Sequence, residues 1–209
     1  MTGPNSKMRY DEGCLAAHAL NVVGDRWALL VVRELMLAPK RFQMIRAGIP
    51  GITAAVLSQR LTQLQTGGVV VHDEAMGLYA LTRSGQGLMP VLQAMCRWGA
   101  LHPGHDPTRF ISASALMISM TAMIGPAGGQ KITAGFRIGP EGFVQRLTGD
   151  GILHVATGSD PAVDFVMEGS GNALARAVYG PQPLAELSDI ALWGDARLAQ
   201  RFVDLFRLR

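Results

Sequence analysis

The side chains best placed to do chemistry in this sequence are hydrogen-bonding groups on one predicted helix. In the stretch Pro50-Gly51-Ile52-Thr53-Ala54-Ala55-Val56-Leu57-Ser58-Gln59-Arg60-Leu61-Thr62-Gln63-Leu64-Gln65, Pro50-Gly51 breaks the preceding element and Thr53 can cap the next helix through its hydroxyl. Ile52 and Leu57 are spaced as a hydrophobic staple, so the helix should begin at Ala54. At about 100° per residue, Leu57, Leu61 and Leu64 form one stripe, and Ala55, Ser58, Gln59 and Thr62 lie on the opposite face. Short hydroxyl and amide groups with no acid among them can approach the edges of nucleic-acid bases. The Gln59 amide matches adenine as donor and acceptor. A solvated helix face explains the same pattern, so context has to decide.

Other reactive groups are sparse. Cys14 stands at the start of a helix, where free backbone N–H groups acidify a thiol; the alternative is a small, half-buried hydrophobe. Cys96, on the apolar side of its helix, reads as structural, and two distant cysteines suggest neither a disulfide framework nor a zinc site. His102 and His105 flank a Pro-Gly and offer no fixed ligand geometry. Asp150, His154 and Ser159 fall on and around one strand without a nucleophile elbow. The expectation is no metal, no cofactor and no enzyme activity.

With 209 residues, 48% of them hydrophobic, the chain can fill packed cores, as one large or two small domains. Met1–Lys7 has no apolar run behind a basic start, and no apolar stretch is long enough to span a bilayer, so a cytoplasmic protein without membrane contact is expected. Charge divides unevenly. Residues 1–101 carry ten Lys/Arg and six Asp/Glu, a balance of +4, whereas residues 102–209 carry nine and ten, a balance of −1. That asymmetry suits a phosphate-facing first half and a neutral second half.

The elements that must position the opening helix follow from periodicity. Residues 14–23 read as an amphipathic helix stopped by Gly24; Asp25 caps a second, nearly all-apolar helix over 26–36; and residues 40–46 form a short helix with Phe42 and Ile45 inward. The turn at 47–51 completes a helix-turn-helix arrangement. Gly67-Gly68 then stops the opening helix. Residues 69–72 and 78–81 read as a hairpin wing, and Thr82 caps a last helix over about 83–98, with Leu88, Val91, Leu92, Met95 and Trp98 on one stripe. The first and last of these helices are free to pair with a second copy.

Cys14, Val23-Gly24-Asp25-Arg26-Trp27-Ala28-Leu29-Leu30, Arg33-Glu34-Leu35, Arg41-Phe42, Pro50-Gly51-Ile52, Val56-Leu57-Ser58-Gln59-Arg60-Leu61, Gly68-Val69-Val70, Tyr79-Ala80-Leu81-Thr82 and Trp98-Gly99 stand in the order and spacing of one family. Over residues 10–100 the chain resembles the HxlR-type winged helix-turn-helix regulators. The resemblance implies a homodimer on a pseudo-palindromic operator, with the recognition helix in the major groove, the wing on the backbone, and a sensing role for Cys14. It places DNA contacts at Arg41, Arg46, Thr53, Ala55, Ser58, Gln59, Arg60 and Thr62. Ala55 stands where the family commonly has a basic or amide side chain, and Asp73 and Glu74 near the wing tip oppose phosphate. Arg60, beside the apolar stripe, has an acid partner as its alternative.

Beyond the Pro/Gly-rich linker at 102–111, residues 114–123 read as a methionine-rich helix. Strand-like runs at 132–138, 143–147, 152–156 and 163–167 suggest an antiparallel sheet of hairpins, and helices follow at 172–179 and 196–206. Asp164-Phe165-Val166-Met167-Glu168-Gly169, Leu174, Tyr179-Gly180, Pro183-Leu184, Leu192-Trp193-Gly194-Asp195, Leu198-Ala199, Arg201-Phe202 and Leu205-Phe206 resemble the C-terminal part of sterol carrier protein-like domains. That resemblance implies a sheet covered by helices around an apolar cavity, with Met117, Met120, Phe136, Ile138, Leu153, Phe165, Met167 and Leu174 as candidate pocket residues. Soft methionines suit such a pocket, and they equally suit a filled core.

The expectation is therefore an α+β chain: a winged helix-turn-helix DNA-binding and dimerisation domain over 1–101, a linker over 102–111, and a small α+β domain over 112–209 with an antiparallel sheet covered by helices. Its partners would be double-stranded DNA, a second copy and an apolar small-molecule effector. The alternative is a hydrophobic carrier or enzyme with a vestigial DNA-binding half.

Overall fold

The computed structural model describes residues 10–206; the Met1–Lys7 segment read above for a leader lies outside them. The chain divides into two compact units, 1–88 and 89–209. Among the described residues, no single helix is long and apolar enough to cross a membrane.

The first unit runs α1 (Leu15–Val23), α2 (Ala28–Leu35), α3 (Phe42–Ala47), α4 (Ala54–Thr66), β1 (Val70–Asp73), β2 (Leu78–Leu81) and α5 (Arg83–Gln86). Its core is the inward stripe of α4, Leu57, Leu61 and Leu64, with Val31, Val32 and Leu35 of α2 and Ile45, Ile49 and Ile52 around the turn. The strands pair antiparallel from Val70↔Leu81 to Asp73↔Leu78. A third edge comes from outside the hairpin, where the backbone of Lys40 exchanges hydrogen bonds of 3.0 and 2.9 Å with Tyr79.

Beneath the turn between α3 and α4 lies a buried carboxylate. Glu34 is 1% exposed. It pairs with Arg33 at 2.9 Å and with the almost equally buried Lys40 at 3.4 Å, and Arg33 also donates to the Gly48 carbonyl at 2.9 Å. A charge taken out of water costs several kcal/mol unless it is paired, so this group holds α2, the α3 entry and the turn in one arrangement. Gly48 has no room for a side chain, because a Cβ there would lie 2.2 Å from Glu34 Oε2.

The expected helix over 83–98 is two helices. α5 is capped by the Thr82 hydroxyl, which accepts from Gly85 N at 3.1 Å, and the chain restarts as α6 (Met89–Leu101). Gly85 and Gly87 weaken helical continuity, and Pro90 has no N–H for the preceding turn but is tolerated in a first turn. α6 is tied to α7 (Ala113–Met123) by Gln93 Nε2 donating to Thr121 Oγ1 at 2.9 Å and Arg97 Nε donating to the Ala122 carbonyl at 3.1 Å. The helix therefore belongs to the second unit, and the compact boundary falls at Leu88/Met89, ahead of the 101/102 division read from composition.

The second unit continues with β3 (Ile132–Ile138), β4 (Glu141–Leu147), β5 (Leu153–Thr157), β6 (Phe165–Glu168), α8 (Gly171–Tyr179), β7 (Ala191–Gly194) and α9 (Ala196–Val203). The sheet order is β5-β4-β3-β6-β7. It is not the purely antiparallel sheet of hairpins expected, because β3 and β6 are parallel, from Ala134↔Phe165 to Arg137↔Glu168. The β3-β4-β5 meander uses only one edge of β3, whose residues are mostly buried, and the chain crosses over to complete the other. β7 was not expected; its four residues include Gly194 at φ +93° and show no inside-outside alternation. Phe165 and Phe206 both pack edge-on against Phe202, with centroids at 5.6 and 5.1 Å, and this joins α9 to the sheet.

Gly48→Ala is expected to lower unfolding free energy by about 2 kcal/mol, read from urea denaturation. Gly13→Ala, where a Cβ meets nothing within 4 Å, should stay within about 0.5 kcal/mol of the parent.

Candidate nucleic-acid interface

α4 starts at Ala54, with Thr53 Oγ1 accepting from Val56 N at 3.3 Å. Gly51, at φ +84°, takes the left-handed conformation that lets the chain turn into it. Ile52 and Leu57 are both buried, as a staple requires.

Thr53, Ala55, Ser58, Gln59 and Thr62 are all exposed and lie along one side of the helix. Among the described residues neither the Ser58 hydroxyl nor the Gln59 amide has a hydrogen-bond partner, so both are available to a ligand. Thr62 differs. Its Oγ1 donates to the Ser58 carbonyl at 3.1 Å, and Thr66 repeats the bond to the Thr62 carbonyl at 3.0 Å. Arg41, preceding α3, and Arg46, in its last turn, are exposed cations.

At Arg60 the structure takes the acid-partner alternative over the phosphate contact. It is 7% exposed, its guanidinium pairs with Asp25 at 2.7 Å and bonds Gln63, and its buried Nε has no partner among the described residues. Position 60 is one residue before Leu61 and three after Leu57, so it faces inward with them. Asp25 in turn accepts from Trp27 N at 3.3 Å. The residue expected on phosphate instead clamps α4 to the start of α2. The Glu34 cluster, which the sequence reading missed, had a visible signal: one acid inside the apolar run of α2.

The wing is compact and acidic at its tip. His72 stacks on Tyr79 at 4.2 Å, Asp73 Oδ1 accepts from Met76 N at 3.1 Å, and residues 69–82 contain no Lys or Arg. Cys14 is exposed at the N-cap of α1, and its side chain makes no cap bond.

In the second unit, the eight candidate pocket residues Met117, Met120, Phe136, Ile138, Leu153, Phe165, Met167 and Leu174 are all buried in the core. An open cleft of about 260 Å³ lies elsewhere, between the end of α8 with Gly180–Pro183 and the α9 side chains Gln200 and Val203. Asp150 is engaged by Thr148 and Ile152, and His154 and Ser159 are exposed without joining it.

The profile of the HxlR-like helix-turn-helix family matches residues 22–106. An HTH-type transcriptional regulator of Methanothermobacter thermautotrophicus is 33% identical over 98 residues, which are 44% of this chain and 75% of the relative. The chain belongs to the HxlR-like helix-turn-helix family. YodB of Bacillus subtilis is 34% identical over 85 residues, 38% of this chain and 76% of its own. A crystal structure of quinone-bound YodB shares 33% identity, covering 42% of this chain and 97% of that one, with a TM-score of 0.39. This HxlR-like chain is thus a transcriptional regulator of the helix-turn-helix type, and residues 107–209 extend beyond the matched stretch.

A double-mutant cycle of Asp25→Ala and Arg60→Ala should give a coupling of about 1–3 kcal/mol in urea denaturation. Were Arg60 a solvent-facing phosphate contact, the single substitution would leave stability unchanged.

Proposed function

We propose that this chain acts as a homodimer on a pseudo-palindromic operator, its two α4 helices entering major grooves about 34 Å apart. The observation that carries this reading is the α4 surface: a buried ionic clamp and an apolar stripe hold the helix on one side, and uncharged hydrogen-bonding groups are free on the other. Thr53, Ala55, Ser58, Gln59 and Thr62 face the bases, Arg41 and Arg46 grip phosphates, and Arg60 positions the helix from within.

Apolar helix faces support the second copy. On α6, Val91, Met95, Trp98 and Leu101 recur at helical spacing and are exposed, Trp98 to 68% and Leu101 to 81%. On α1, Leu15 is 87% exposed. Large apolar groups left in water at such spacing are what a helix-helix interface covers. Cys14, at the N-cap of α1, would bring thiol chemistry to the α1 face.

For the second unit, the reading is an apolar effector domain of the sterol carrier-like kind. A sheet covered by helices supports it, as does a methionine-rich core around Gln145, whose buried Oε1 has no hydrogen-bond partner among the described residues. An effector would act only by binding two dimer conformations unequally. Mass spectrometry of an extract of the purified protein tests it, and an empty domain counts against it.

Gel retardation of promoter duplexes should be weakened roughly ten- to hundredfold by Ser58→Ala with Gln59→Ala. Arg46→Ala should flatten the salt dependence of log K by about 2, one phosphate per protomer. Trp98→Glu should yield a monomer by analytical ultracentrifugation and lose most operator affinity. Tight binding of an apolar ligand by a protein that retains no duplex at low salt would favour the carrier reading.

A further inference from the structure

We propose that the exposed face of α4 selects A·T pairs in each operator half-site, with Gln59 as the adenine reader and the methyl groups of Ala55 and Thr62 as thymine contacts. The inference rests on the DNA-binding reading above and adds the base class that the face accepts.

The argument begins with what the face lacks. The commonest reader of guanine is an Arg or Lys donating to O6 and N7. α4 contains a single charged residue, Arg60, and its guanidinium is buried against Asp25. No cation is left on the outer face to serve guanine. Gln59 is the longest free polar group there. Its amide offers one acceptor oxygen and one donor nitrogen, which match adenine N6–H and N7 together; against guanine, whose O6 and N7 both accept, only the nitrogen can bond and the oxygen is left unpaired.

Thr62 supplies the second half. Because its Oγ1 is committed to the Ser58 carbonyl at 3.1 Å, the methyl group is what it presents outward. Four residues separate Ala55 from Gln59 and three separate Gln59 from Thr62, so the two methyls flank the amide along one face. An amide between two methyls is complementary to adenine beside thymine C5-methyl groups, and it offers cytosine N4–H no anionic acceptor.

Selection from a pool of random-sequence duplexes, followed by binding measurements on the enriched site, tests this. The parent protein should enrich half-sites with A·T at the pair that residue 59 controls, preferred over G·C by roughly tenfold or more. Gln59→Ala should lose that preference, and Gln59→Arg should move it to G·C. Thr62→Val, which keeps a methyl, should retain the thymine preference at its own pair; Thr62→Ser, which removes it, should not. Both substituted positions are exposed, and circular dichroism checks that each variant is folded. Enrichment of G·C at the pair controlled by residue 59 overturns the proposal and leaves DNA binding intact. No retained duplex at any salt concentration overturns the DNA-binding reading and this inference with it.

Discussion

The first unit depends on a single buried carboxylate. Glu34 has no water to solvate it, so it dictates where its cations and neighbours must be: Arg33 beside it, Lys40 across from it, and a glycine at position 48 where any Cβ would intrude. Apolar packing around Ile45, Ile49 and Ile52 tolerates small slips, but an ionic cluster in a low-dielectric site does not. The turn into α4 is consequently set by electrostatics as well as by packing. Lys40 extends the constraint, since its ammonium reaches Glu34 while its backbone pairs with Tyr79 of the wing. One residue thus joins the floor of the turn to the hairpin.

A second ionic contact acts on α4 itself. Asp25 stands before α2, stays about one-third exposed, and reaches Arg60 in the middle of α4. Between them, the two clamps and the leucine stripe leave α4 little freedom to rotate about its axis. That matters for a surface made of short groups: hydroxyls, an amide and methyls have little reach, so a rotation of one residue would exchange Ser58 and Gln59 for Leu57 or Arg60. Long cations could compensate by bending; these groups cannot. The small charge surplus of the N-terminal half, with Arg41 and Arg46 exposed, fits a protein that draws in a polyanion through a few cations and discriminates through uncharged contacts.

Much of this was legible in the sequence where the signals are local. The start of α4, its staple, the glycine stop and both wing strands follow from capping and turn chemistry, and the structure keeps them within a residue. The family itself was readable in the spacing from Val23 to Trp98. What escaped was non-local. For Arg60 the sequence leaves phosphate and an acid partner both open, because the choice depends on Asp25, distant in sequence, being close in space. The break at Gly87 was hidden by an apolar stripe that continues in register across it. The parallel β3/β6 pairing follows from which edge of β3 remains open, which no alternation pattern records. The eight apolar residues of the second unit are all buried, and burial alone suits a filled core as well as the lining of an enclosed cavity.

The crossover that makes β3 and β6 neighbours also sets an order of events during synthesis. Residues 132–157 can pair as a meander as soon as they leave the ribosome, and α7, already synthesised, meets one face of it where Gln145 Nε2 donates to the Met117 carbonyl, but the second edge of β3 waits for β6 and Phe136 waits for Phe202 of α9. At translation rates of about 5–20 residues per second, that interval is on the order of several seconds. Throughout it the nascent chain exposes a half-built sheet whose β3 edge is unpaired as well as its β5 edge, a state open to capture by a chaperone or by the nascent sheet of a neighbouring ribosome. The first unit is complete in sequence by Leu88, and its two strands pair as a local hairpin that needs no such crossover.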